Sequence, residues 1–194
     1  MINIEAEAPG DGAMVERLLD KAFGPGRLAK SAYRLREGVE PLASLSFVAR
    51  ENESVIGSLR FWPIVVGRKT PALLLGPLVV EPALRGRGVG IGLMLRGLAR
   101  ARAEGHSLVF LVGDEPYYAR VGFRHVEPGA FSFCGPVDEK RLLVRELAPG
   151  TLAGVSGAIE AYRGAALAAL APPGQDEQRR DQGKRAQGLK QRAL

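Results

Sequence analysis

Ile2, Ile4 and Ala6 alternate with Asn3, Glu5 and Glu7 at the start of the chain. A period of two is the signature of a half-buried strand, which places one over Ile2–Glu7. Pro9-Gly10-Asp11 punctuates it, and Met14, Leu18, Leu19 and Phe23 then recur at helical spacing until Gly24-Pro25-Gly26 stops them. A shorter helix is predicted over Ser31–Gly38. Leu45–Ala49 and Val55–Val66 read as strands joined by a polar turn at Asn52. Leu73–Val80 is a nearly continuous apolar run, as expected of a strand covered on both faces.

The helical period returns over Gly88–Glu104, where Leu93, Leu95, Leu98 and Ala101 interleave with Arg96, Arg100 and Arg102. Leu108–Val112 is another short apolar strand. Strand, crossover helix and strand in succession make a βαβ unit with parallel pairing. Pro116–Val121 reads as a short helix closed by Gly122, and Ala130–Phe133 and Arg141–Leu147 supply further strands. The fold class is α/β with a mixed sheet. Pro172-Pro173-Gly174 closes the packed region, giving one domain over 1–171 and a tail over 172–194. That tail is too poor in apolar residues to offset its ordering entropy and is expected to be disordered.

Composition narrows the classes. At 194 residues, 46% hydrophobic and 25% charged, the chain is neither collagenous nor wholly disordered, and it has the length of about one average domain. No run reaches 18 uninterrupted apolar residues, so no membrane-spanning helix is expected. The acidic N-terminus does not fit a signal peptide. A lone cysteine, Cys134, forms no internal disulfide and reads as a small buried residue; a cytoplasmic, reducing setting is the default. The net charge is +6 with a pI near 9.8. Six bases against three acids between Gln175 and Leu194 carry half of that excess. The tail holds no aromatic residue, which disfavours nucleic acid as a partner.

The stretch Leu78-Val79-Val80-Glu81-Pro82-Ala83-Leu84-Arg85-Gly86-Arg87-Gly88-Val89-Gly90-Ile91-Gly92 carries the most chemistry. A strand runs into a glycine-rich turn from which a long helix starts. Free amides and the macrodipole at such a helix end attract anions, and glycines let a phosphate approach the backbone. Arg85 and Arg87 add charge. The dinucleotide fingerprint G-x-G-x-x-G fails in both registers, at Ile91 and at Leu93, and no G-K-[ST] occurs. The alternative reading is that the glycines serve only the turn and close helix packing. What fits is [RQ]-x-x-G-x-[GA] at Arg85–Gly90, which resembles the acyl-CoA pyrophosphate loop of the GNAT superfamily of N-acyltransferases.

About thirty residues on, Gly113-Asp114-Glu115-Pro116-Tyr117-Tyr118-Ala119-Arg120-Val121-Gly122-Phe123 resembles that family's Y-x-x-x-G-F signature, with Tyr118 as its tyrosine. The run is most similar to the YhbS-like subgroup. The resemblance implies a splayed mixed sheet and acetyl-CoA as cosubstrate, with no metal. It implies an acetyl group moved by direct attack to an amine acceptor, of a small molecule or of a peptide. A non-catalytic acyl-CoA-sensing module is a further alternative, because no general base stands out. By resemblance, Leu78, Val79 and Val80 lie along the pantetheine arm, and Gly86, Gly88, Val89, Gly90 and Ile91 face the pyrophosphate. Tyr118 is the general acid and Tyr117 packs on the cofactor. The family's asparagine is Leu111 here, so Asp114 is the candidate replacement for its contact.

His106 and His125 read as surface residues and Trp62 as core, with an acceptor pocket as Trp62's alternative. Sheet edges late in the chain are compatible with a homodimer.

Overall fold

A computed structural model of the chain describes residues 1–163 apart from Lys30, Cys134 and Pro136. The expectations for Cys134, for the boundary at 171 and for the basic tail lie outside the described residues. Among the described residues nine strands form one sheet: β1 (Ile2–Ala6), β2 (Phe47–Glu51), β3 (Ser54–Val66), β4 (Thr70–Val80), β5 (Leu108–Val112), β6 (Arg124–His125), β7 (Phe131–Phe133), β8 (Leu142–Glu146) and β9 (Gly157–Ala161). The α-helices among the described residues are α1 (Gly12–Phe23), α2 (Ser31–Arg34), α3 (Val89–Ala103) and α4 (Glu115–Tyr118). The second helix stops at Arg34, shorter than its pattern suggests. β6 and β9 fall where no strand was expected.

The order is β1-β2-β3-β4-β5-β8-β6, with β9 joining the far half of β3 and β7 lying beside β9. β4 with β5 and β7 with β9 are parallel; the other pairs are antiparallel. The sheet is therefore mixed, as read from the sequence.

Neighbouring residues of a strand point to opposite faces. Val48 and Val79 meet Val15, Leu18 and Leu19 of α1 on one face. Phe47, Leu59 and Phe61 meet Leu93, Met94, Leu98 and Ala101 of α3 on the other. Full burial of each large side chain contributes about 1.5–3 kcal/mol. Leu95 departs from the expected pattern: it is 53% exposed, one step off the buried stripe of α3. Gly97 permits that helix to sit close, since a Cβ there would stand 2.6 Å from Cε2 of the buried Phe61 ring.

One irregularity marks the middle of β4. Leu59 pairs with Leu78 but Phe61 pairs with Leu75, so β4 carries one residue more than β3 around Gly76-Pro77. Such a bulge bends a strand and increases its twist. On its other side β4 pairs with β5 only at Leu73↔Val109 and Leu74↔Phe110. Beyond those pairs the two strands part.

Candidate active site

From Leu78 to Val80, β4 keeps its ladder to β3 on one side and has no described strand on the other. Its outward backbone groups are available to an extended ligand. The chain then turns through a short 3-10 segment, Pro82–Leu84, held by a bond of 2.8 Å from the Glu81 amide to the Ile56 carbonyl. Glu81 is further tied to Lys21 at 2.6 Å, which fits a structural part for it.

Gly86 and Gly88 have φ of +82° and +81°, a left-handed backbone that side chains rarely adopt, and a Cβ at either would meet nothing within 4 Å. The turn is open to solvent there. Gly88 caps α3, and the Gly92 amide bonds to its carbonyl at 2.9 Å. The amides of Val89, Gly90 and Ile91 precede that first helical bond and have no acceptor within the helix. Gly90 is needed for a different reason: a Cβ there would overlap the Tyr117 hydroxyl. The glycines thus divide between the open turn, at Gly86 and Gly88, and close packing, at Gly90.

Two cavities meet at the splay. One, of about 520 Å³, is lined by Leu78, Val79, Val80, Arg85, Gly86, Gly88, Val89, Gly90, Ile91, Asp114, Tyr117 and Tyr118. Arg87 is not among the lining residues; its guanidinium lies 3.8 Å from Glu51. Phe23, Leu84 and Arg120 complete the wall, and the sequence singled out none of them for it. The second cavity, of about 540 Å³, runs from Leu74 to Leu78 along β4 and past Val112 to Asp114, with Tyr33, Arg36 and Arg141 opposite. Phe23, Leu78, Asp114 and Tyr118 belong to both walls.

Tyr118 stands at this junction because α4 follows directly on β5. The Asp114 carbonyl accepts from the Tyr117 and Tyr118 amides at 3.0 and 3.4 Å. The Tyr118 ring packs edge-on to Tyr117 at 5.2 Å and to Phe123 at 6.1 Å. Gly113 is small because a Cβ there would overlap that ring. Burial pushes the Tyr118 phenol up to about 12, with Tyr117 and Asp114 adding and Arg141 opposing. Burial also raises Tyr117, against the pull of Arg120. The Asp114 side chain is 79% exposed, 3.2 Å from the Arg141 guanidinium. It sits on the rim rather than inside.

Other residues sort themselves by position. His125 is exposed, but His106 is half-buried, and burial holds its imidazole below the ordinary value. Neither lines the two cavities. Trp62 is half-buried, packs against the core and also lines neither; the Arg36 guanidinium lies 5.7 Å from its ring. Among the described residues no group of three or more His, Cys, Asp and Glu side chains is set to hold a metal ion. No described helix is long and apolar enough to cross a membrane.

Residues 13–123 match the sequence profile of the Acetyltransferase (GNAT) family. An uncharacterized N-acetyltransferase, YhbS of Escherichia coli strain K12, is 31% identical over 159 residues, which cover 81% of this chain and 94% of that one. The crystal structure of YhbS from Escherichia coli in complex with CoA is similar with a TM-score of 0.72 and 31% identity, over 83% of this chain and 89% of the other. A GNAT family acetyltransferase from Brucella melitensis in complex with acetyl-CoA is similar with a TM-score of 0.60 and 28% identity, over 77% and 90% of the two chains.

Proposed function

The chain belongs to the GNAT family of acetyltransferases, and we propose that it moves an acetyl group from acetyl-CoA to the amine of a small molecule by direct attack. The observation that carries this reading is the sharing of Tyr118 by two cavities, one along the glycine-rich turn and one opposite it. The first cavity suits a CoA thioester on three counts. Gly86 and Gly88 leave the turn open, the amides opening α3 are unsatisfied, and β4 offers a free backbone edge. CoA and acetyl-CoA are the ligands held by the two similar solved structures.

Acetyl-CoA supplies an activated acyl carbon and a thiolate leaving group. Val89, Gly90 and Ile91 would bind its diphosphate through their amides, with Arg85 adding charge, and Leu78 and Val80 would hold the arm along β4. The acceptor nitrogen must shed a proton, since an alkylamine with a pKa of about 10.4 is neutral in only about one molecule in 2,500 at pH 7. The carboxylates lining the acceptor cavity, Asp114 and Asp138, are both exposed on its rim, so that proton passes to water.

Tyr118 acts on the leaving sulfur. A phenol near 12 is a poor proton source for a thiolate that ordinarily titrates near 8.5, and complete transfer is uphill by roughly 5 kcal/mol. Its contribution is a hydrogen bond to sulfur that strengthens as negative charge grows there.

The test has two stages. Acetyl-CoA at about 100 times its dissociation constant should add about 2.7 kcal/mol of stability and raise the melting temperature by several degrees. A panel of small amines is then assayed for released thiol. The absence of both a thermal shift and binding heat at millimolar acetyl-CoA would reject the reading. Binding without thiol release from any amine would reject the transfer while leaving a cofactor site.

A further inference from the structure

One cation on the wall of the acceptor cavity has no carboxylate beside it, the lining Asp138 being exposed on the rim and bonded to the Lys140 amide. Of its lining cations, Arg27 bonds Asp20 and Glu16, each at 2.8 Å, and Arg141 lies 3.2 Å from Asp114. Arg36 alone among them has no carboxylate partner among the described residues. Its Nε is buried without any hydrogen-bond partner. Its guanidinium instead lies 4.7 Å from the Tyr33 ring and 5.7 Å from the Trp62 ring. Two aromatic faces flank the group, and the Tyr33 side chain supports its cationic form, while Nε stays unused. A buried guanidinium with donors to spare is a costly arrangement in an isolated chain.

We propose that Arg36 is the carboxylate anchor of the acceptor site, so that the substrates are small amines that also bear a carboxylate, such as free amino acids. This rests on the acetyl-transfer reading given above. Arg36 lines the same cavity as Tyr118, so a ligand gripped by Arg36 at one end presents its other end toward the junction. A guanidinium fork matches a carboxylate with two parallel hydrogen bonds. A single unpaired cation also balances a monoanion and leaves a phosphate dianion half neutralised. Burial pulls the guanidinium down to about 10, with Tyr33 opposing and Arg27 and Arg60 adding their repulsion, and it remains a cation at neutral pH. An incoming carboxylate relieves both penalties.

The experiment titrates the full chain, saturated with CoA, in a calorimeter with free amino acids and with the matching amino acid amides. Phosphoethanolamine serves as the phosphate-bearing control. Free acids should bind at least tenfold more tightly than their amides. That preference should fall to about twofold or less in Arg36→Met and be partly kept in Arg36→Lys, with thermal melts verifying that each variant folds. The comparison of acid with amide in the unaltered protein does not depend on any variant folding. Equal binding of acid and amide, no binding of any acid, or tighter binding of phosphoethanolamine would each overturn the assignment. Running the same pairs for thiol release from acetyl-CoA separates the two readings. Selective binding of acids without release defeats the transfer and leaves Arg36 as an anchor.

Discussion

Tyr118 and Arg36 lie on one cavity wall, yet only the first could be found in the sequence. Tyr118 stands at a fixed spacing from Gly122-Phe123, and that spacing reflects geometry: one short helical turn between β5 and a buried phenylalanine. Arg36 sits in Leu35-Arg36-Glu37, where nothing distinguishes it from a solvated arginine. Only the packing of Tyr33 and Trp62 around it gives it meaning, and those contacts are distant or featureless in sequence. For Tyr118→Phe the ring and its packing survive and the sulfur loses its donor. Steady-state kinetics should show kcat lower by about 100-fold with KM for acetyl-CoA little changed. The pH profile supplies a second check. Because the phenol stays protonated until about pH 12, the rate should rise from pH 7 to 9 as the acceptor amine becomes neutral, without a falling limb in that window. A descending limb between pH 8 and 10 that vanishes in the variant would show a phenol far more acidic than its burial allows.

At the scale of elements, long periodic segments were legible and short or irregular ones were not. α1, α3, β3 and β4 each carry enough apolar positions to declare their period. β6 is two polar residues, Arg124 and His125, whose strand geometry comes from pairing with β8. β9, Gly-Ala-Ile-Glu-Ala, buries only Ile159 and is specified by lying between β3 and β7. The apolar run Leu73–Val80 also concealed the bulge at Gly76-Pro77, because a bulge is a mismatch between two strands and no single strand displays it. In α3 the sequence showed the period but not the depth, which rests on Gly97. Gly97→Ala gains helix propensity of about 1 kcal/mol and loses more through overlap with Phe61, a ring with no room to yield. Denaturant unfolding should register a net loss of about 1–2 kcal/mol.

For the molecule as a whole, two independent elements build the two cavities: the glycine turn before α3 walls one, and the segment from Ala32 to Arg36 walls the other. Their walls share Phe23, Leu78, Asp114 and Tyr118. On the proposed reading each cavity takes one reactant, and neither need leave before its counterpart arrives. Initial velocities measured against both reactants should accordingly give double-reciprocal lines that intersect, the mark of a ternary complex. Parallel lines would mean that the acyl group pauses on the protein between visits. The parting of β4 from β5 beyond Leu74 and Phe110 thus reaches, on the proposed reading, to the order of traffic: donor and acceptor are held side by side before either product departs.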